Sequence, residues 1–210
     1  MFEKLEARYP YGRYAQQAQL EQAYSYFKQG EAESAVAACD RFMKLHPNHP
    51  SVDYAYYLKG LANFNEDLGI FGNWTDQDQS ERDPKAARAS FDAFKDLVAK
   101  FPNSKYTPDA MDRMLYLTNF LAAHDVYVAK YYYKRGAYIA SANRAEQVVK
   151  NYPNSPAIEE ALILMIRSYD ALGVKDLRDD TVRVFKANFP KVDYKERSLE
   201  RETTWWKLWQ

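Results

Sequence analysis

Small and apolar residues recur at helical spacing along much of the chain, with polar residues between them. In "EAESAVAACDRFMKL", which starts at Glu31, they fall at Ala35, Ala38, Phe42 and Leu45. That periodicity predicts a helix whose one small, apolar face lies close against a second helix. Between Pro108 and Gly136 no Gly or Pro interrupts the pattern, so one long helix over about 107 to 135 is predicted. Further along, "EDLGIFGNWTDQDQSERDPKAA" breaks the periodicity with two glycines, Trp74 and a polar, acidic run. It reads as a loop inserted over 65–83, ending at Asp83 as N-cap and Pro84 as the first residue of the next helix.

The punctuation between helices repeats. "KFPNS" and "NYPNS" are near copies, and weaker ones occur in "RYPYG", "LHPNH" and "NFPKV". Their prolines are Pro10, Pro47, Pro102, Pro153 and Pro190, spaced by 37, 55, 51 and 37 residues. Gly30, Gly136 and Gly173 each precede such a proline by 17 residues, and Tyr26, Tyr132 or Tyr169 stands four residues before each glycine. Glycine ends a helix at no steric cost in the left-handed conformation, whereas proline cannot donate the next helical hydrogen bond. The sequence thus predicts a repeat of two helices, with Gly at the internal turn and Pro at the turn to the next repeat. The tyrosine can fill the space between repeats and keep its hydroxyl near water.

The 210 residues accommodate one solenoid over 1–210, and 47% hydrophobic content with 7 Gly and 9 Pro fits a folded, helix-rich chain. Lys plus Arg equals Asp plus Glu at 29 each, which argues against nucleic acid as a partner. A single cysteine permits no internal disulfide, and Cys39 falls on an apolar helix face as a small core residue. No apolar run is long enough to span a bilayer. Only nine residues precede Pro10, so the first repeat is expected to be incomplete and any targeting signal to lie outside this sequence.

Candidate catalytic groups are sparse. His46 and His49 in "LHPNHP" have no third metal ligand nearby in sequence and read as turn residues beside prolines. His124 and Asp125 are adjacent on a helix, which does not give a base and its orienting carboxylate opposing geometry. "GIFGNW" lacks the features of a phosphate-binding loop. No catalytic residue, metal or cofactor is expected.

Aromatic residues are the richer signal: 18 Tyr, 11 Phe and 4 Trp. "VYVAKYYYKRGAY" places Tyr127, Tyr131, Tyr132, Tyr133 and Tyr138 around one helix end, where a helix cannot bury every side. Some rings must face solvent or a partner. The tail over 191–210, "KVDYKERSLERETTWWKLWQ", ends in Trp205, Trp206, Leu208 and Trp209. It can cap the last repeat, dock a partner or lie at a membrane surface.

Four stretches also resemble a known family: "RYPYGRYAQQAQLEQAYSYFKQG", "DRFMKLHPNHPSVDYAYYLKG", "RDPKAARASFDAFKDLVAKFPNSKYTPDA" and "VAKYYYKRGAYIASANR". They are similar, in colinear order over nearly the whole chain, to the BamD (ComL) family, tetratricopeptide lipoproteins of the bacterial outer-membrane β-barrel assembly machinery. The resemblance implies a non-enzymatic scaffold at the periplasmic face of the outer membrane, lipid-anchored in its full-length form. The implied partners are the periplasmic domains of the barrel subunit BamA, accessory lipoproteins and unfolded outer-membrane proteins. It also implies two surfaces. Arg8, Tyr9 and Gly12 match the family's N-terminal motif on the half associated with substrate signals. Asn143 and Arg144, with Tyr138 nearby, match the segment near the BamA contact, although Arg144 can equally be a solvated helix charge.

The expected fold is all-α, a right-handed α-solenoid of about five tetratricopeptide repeats with the first incomplete. The expected function is docking of BamA and accessory lipoproteins and help in receiving unfolded β-barrel substrates. The alternative is a generic tetratricopeptide peptide-binding adaptor. An enzyme of the lytic transglycosylase kind would need a catalytic domain, for which only about 20 residues remain after the repeats.

Overall fold

The computed structural model describes residues 13–68 and 84–196. Within them the secondary structure consists of α-helices: α1 (Arg13–Gln29), α2 (Ala32–Leu45), α3 (Val52–Leu68), α4 (Lys85–Lys100), α5 (Thr107–Lys134), α6 (Tyr138–Asn151), α7 (Ile158–Leu172) and α8 (Lys175–Asn188). The long uninterrupted pattern after Pro108 is the 28-residue α5. Helix α4 starts one residue later than the sequence suggests, because Pro84 takes the capping position and its carbonyl receives the amide of Arg88. The expected loop at 65–83 has its first four residues in the last turn of α3; the rest, with Asp83, lies outside the described residues, as do Pro10 and the tryptophans of the tail.

The three glycines singled out by spacing are the three described residues with positive φ, at +77°, +76° and +70° for Gly30, Gly136 and Gly173. Each closes the same turn. The amide of the residue after the glycine (Glu31, Ala137 or Val174) donates to the carbonyl of Tyr26, Tyr132 or Tyr169, at 3.0 Å in all three. The glycine amide donates to the next carbonyl along, from Phe27, Tyr133 or Asp170. This double closure satisfies carbonyls that a helix end otherwise leaves unpaired, and it requires a left-handed residue where glycine stands.

The proline turns are equally uniform. The residues before Pro47, Pro102, Pro153 and Pro190 leave helical geometry at φ between −126° and −132°, as a following proline demands. Each still donates its amide to the carbonyl four residues back, on Phe42, Leu97, Val148 or Phe185. Those four residues have no exposed surface at all. The aromatic-Pro-Asn-Ser signature therefore marks the end of a helix whose last inward side chain is fully buried. Fully burying such a side chain is worth about 1.5–3 kcal/mol.

The buried face of α2 is Ala35, Cys39 and Phe42. Leu45 does not belong to it: the side chain is 52% exposed, because Phe42 already occupies the inward position of the last turn. Ala38 is half-buried against the same cluster. Neighbouring helices pack in sequence order, α1 with α2, α2 with α3, α3 with α4, α6 with α7 and α7 with α8. That is the arrangement of stacked helical pairs that a repeat sequence calls for.

The chain divides into two compact units with the boundary between Leu121 and Ala122, inside α5. In the first unit Leu20, Phe42 and Ala55 form one buried cluster, and Ala23, Cys39 and Leu58 another. In the second, Ala122, Val126 and Ala129 of α5 pack with Ala145 and Val148 of α6 and with Ala161 and Leu164 of α7. Beyond α8 the chain turns back so that Phe189, Val192 and Tyr194 cover Leu162, Ile163, Ile166 and Phe185. The first residues of the expected tail thus close the apolar end of the last pair.

Candidate functional site

A tyrosine groove forms in the first unit. The α1 residues Gln17, Leu20, Glu21 and Tyr24 face Pro50, Ser51, Asp53 and Tyr54, and Lys105 with Tyr106 completes the wall. The open volume is about 400 Å3, in the range of sites that hold small ligands or peptide side chains. The proline turns build it. Tyr54 follows the turn at Pro47, and Tyr106 follows the turn at Pro102, so the two rings meet at 5.5 Å. Behind them Tyr57 stacks on Tyr106 at 4.7 Å and 16°.

The charges at this groove differ in availability. Asp53 is engaged, accepting the Tyr54 amide at 2.8 Å and the Ser104 hydroxyl at 2.7 Å. Ser104 is the serine of the "FPNS" signature, so the repeat motif itself ties one groove carboxylate down. Glu21 accepts from Gln17 at 2.9 Å. Lys105 is exposed, with its ammonium 5.0 Å from the Tyr106 ring centre. Burial, reinforced by the neighbouring Tyr106, Tyr24, Glu21 and Cys39, pushes the Tyr54 hydroxyl up to about 12. It remains a neutral hydrogen-bond donor throughout the physiological range. The site therefore combines three aromatic faces, hydroxyl donors and one solvent-facing cation, a set suited to holding an extended peptide.

The second surface lies on the second unit. Arg144 and Asn143 are exposed on α6, and Arg144 Nη1 lies 3.6 Å from Asp125 Oδ1 on α5. Tyr138 is half-buried, its ring 5.3 Å from Tyr133 across the Gly136 turn. Ile139, beside it, is 65% exposed, and Tyr131 is 50% exposed with Arg135 over its ring. The aromatic cluster is thus shared between turn packing and open surface. Arg8, Tyr9 and Gly12 lie outside the described residues.

The histidines of "LHPNHP" are used structurally. His46 Nε2 donates to Gln19 at 3.0 Å, its Nδ1 faces the Gln16 amide at 3.4 Å, and both His46 and His49 lie 5.2 Å from the Phe42 ring. His49 Nδ1 accepts the amide of Ser51. Among the described residues, no group of three or more His, Cys, Asp or Glu could hold a metal ion, and no helix is long and apolar enough to cross a membrane.

The groove residues Tyr24, Tyr54, Lys105 and Tyr106, and the buried Asp125, were not legible as site residues. The groove joins positions far apart in sequence, and nothing local separates its tyrosines from those in the core. Asp125 did carry a signal, a carboxylate inside the apolar run "FLAAHDVYVA".

Comparison with known proteins bears on both surfaces at once. The YfiO family of outer membrane lipoproteins matches residues 1–184. Outer membrane protein assembly factor BamD from Neisseria meningitidis serogroup B is 47% identical over 210 residues, covering all of this chain and 79% of that protein. The chain belongs to the YfiO (BamD) family of outer-membrane lipoproteins. BamD from Neisseria gonorrhoeae is 45% identical over the same 210 residues, and BamD from Vibrio cholerae 35% identical over 186, covering 89% of this chain and 77% of that protein. The matched spans include the groove residues, the helix pairs and Arg144.

Proposed function

We propose that this protein is a non-enzymatic scaffold of outer-membrane protein assembly, acting at the periplasmic face of the outer membrane. It docks the periplasmic domains of the barrel subunit BamA and the accessory lipoproteins, and it helps to receive unfolded β-barrel chains. The observation that carries this reading is the match, over the full length of the chain, to proteins named as outer-membrane protein assembly factors. The two surfaces give it a physical form. Arg144, Asn143 and Ile139 present a charge, an amide and an apolar side chain to a folded partner. The tyrosine groove offers stacking faces and the Lys105 cation to an extended, aromatic-rich segment ending in a carboxylate. The work is done by binding alone: helical pairs hold both surfaces in place.

The test is capture of purified BamA periplasmic domains from the same source by this chain, beside an Arg144→Glu variant. Capture by the parent and loss by the variant is the expected result. Capture by both would keep the scaffold and move the contact away from Arg144. No capture by a folded, helical parent would favour a general peptide-binding adaptor, for which the groove alone is sufficient.

A further inference from the structure

Ser141 on α6 and Ser168 on α7 have no exposed surface. Among the described residues, their hydroxyls are the two buried side-chain polar groups that find no hydrogen-bond partner within the protein. Other hydroxyls packed inside the helical pairs do find one: Ser90 donates to the Gly60 carbonyl at 2.9 Å, Thr107 to the Phe101 carbonyl at 2.8 Å, and Thr181 to the Leu177 carbonyl at 2.7 Å. A buried hydroxyl left unpaired is costly, and native structures rarely keep one. The two serines also stand together. Helices α6 and α7 pack on each other across the turn at Pro153, and Ser141 lies ten residues before the end of α6 while Ser168 lies ten residues after the start of α7, so both are at the same height. They continue the seam of Ala145, Val148, Ala161 and Leu164, with Ser141 one turn before Ala145 and Ser168 one turn beyond Leu164.

Side-chain volume points the same way. Counted from the turn, Leu164 comes level with Ala145 and Val148 with Ala161, a large side chain against a small one in each layer. In the serine layer a small side chain meets another small one. That layer holds less side-chain volume, and the groups bordering it are hydroxyls rather than methyls. A water molecule suits such a place, because it can donate to one oxygen, accept from the other and use the free lone pairs of helix carbonyls nearby. We propose that one water molecule is built into the α6–α7 seam, bridging Ser141 Oγ and Ser168 Oγ. It is a polar pin that fixes the last helical pair, α7 and α8, against α6. The site is internal to the second unit and does not depend on what the protein's surfaces bind.

Magnetic relaxation dispersion of the water oxygen nuclei tests this, since it counts long-lived buried waters and is blind to proton exchange from the serine hydroxyls themselves. The parent should show one such water more than the double variant Ser141→Ala with Ser168→Ala. Equal dispersions from the two folded proteins would overturn the proposal. Urea unfolding supplies a second reading. Each single alanine variant should unfold at a lower midpoint than the parent, because the bridge loses one end and leaves the other hydroxyl short of a partner. The double variant should lose less than the two single losses together, because both serines act through the same water. A raised midpoint in the single variants would reveal a dry seam in which the hydroxyls are only a burden, and it would reject the water. Should the double variant fail to fold, a crystal structure of the parent decides. A density peak within hydrogen-bond distance of both Oγ atoms is expected, and a seam without one overturns the proposal.

Discussion

Gly60 and Gly136 are constrained for different reasons. Gly136 has open space where a Cβ would stand, and its constraint is the left-handed φ of +76°. Gly60 is helical, but a Cβ there would run into the ring of Phe94, which is fully buried. The Gly60 carbonyl also accepts the buried Ser90 hydroxyl at 2.9 Å, which fixes the distance between α3 and α4. Gly60→Ala gains up to about 1 kcal/mol of helix propensity and meets an overpacking cost of about 1–3 kcal/mol. With a contact this short the cost should prevail, giving a net loss of about 1–2 kcal/mol in urea unfolding with the m-value unchanged. An unchanged or raised midpoint would show that α3 and α4 separate easily. The register of Gly136 was readable because Gly30 and Gly173 repeat it. Gly60 has no counterpart at that spacing, and its role depends on a ring 34 positions away.

At the scale of elements, α3 and α5 are joined by a small polar knot. The Tyr57 hydroxyl donates to Asp109 Oδ2 at 2.7 Å, Arg113 Nε donates to the same oxygen at 2.6 Å, and the Arg113 guanidinium lies 4.8 Å from the Phe64 ring centre. Burial pushes the Asp109 carboxyl up, but the hydrogen bonds from Arg113 and Tyr57 outweigh it and hold the group below its ordinary value of 3.8. A depressed carboxylate stabilises the fold fully above the unfolded aspartate range and loses that contribution as pH falls through its lower folded value. Because the Asp109 side chain is 48% exposed, solvent screening keeps the effect modest. Asp109→Asn should therefore melt below the parent at pH 7, with the difference vanishing at pH values below the folded pKa of Asp109. A difference that persists there would assign the loss to packing. Helix α5 itself was legible to within a residue, since nothing between its proline and glycine interrupts it. The knot was not, because its partners lie 52 positions apart and Tyr57 looks like any other tyrosine of the repeats. Leu45 shows the converse limit: periodicity placed it inward, but the aromatic-Pro turn assigns the last inward position to Phe42.

At the scale of the whole molecule, the two candidate surfaces share no residue: the groove belongs to the unit ending at Leu121 and the Arg144 surface to the unit that follows. The repeat signature made the helical pairs legible, yet it is silent on what the surfaces bind, since the four described proline turns close alike while, among them, only the one at Pro102 carries a Lys-Tyr pair, Lys105 and Tyr106. If the groove receives chain ends, its cation should read the terminal carboxylate. A fluorescent, aromatic-rich peptide with a free C-terminus should bind the parent more tightly than its amidated form. The difference should be up to about fivefold, the limit for a solvent-exposed ion pair worth up to about 1 kcal/mol. Lys105→Glu should weaken the free-acid peptide and abolish or invert its advantage over the amide, while capture of the BamA periplasmic domains stays at the parental level. Equal binding of both peptides to the parent would leave the groove with aromatic stacking as its only means of selection. Loss of both binding activities in Lys105→Glu would mean that the two surfaces are energetically linked, so that a charge change in one unit alters docking on the other.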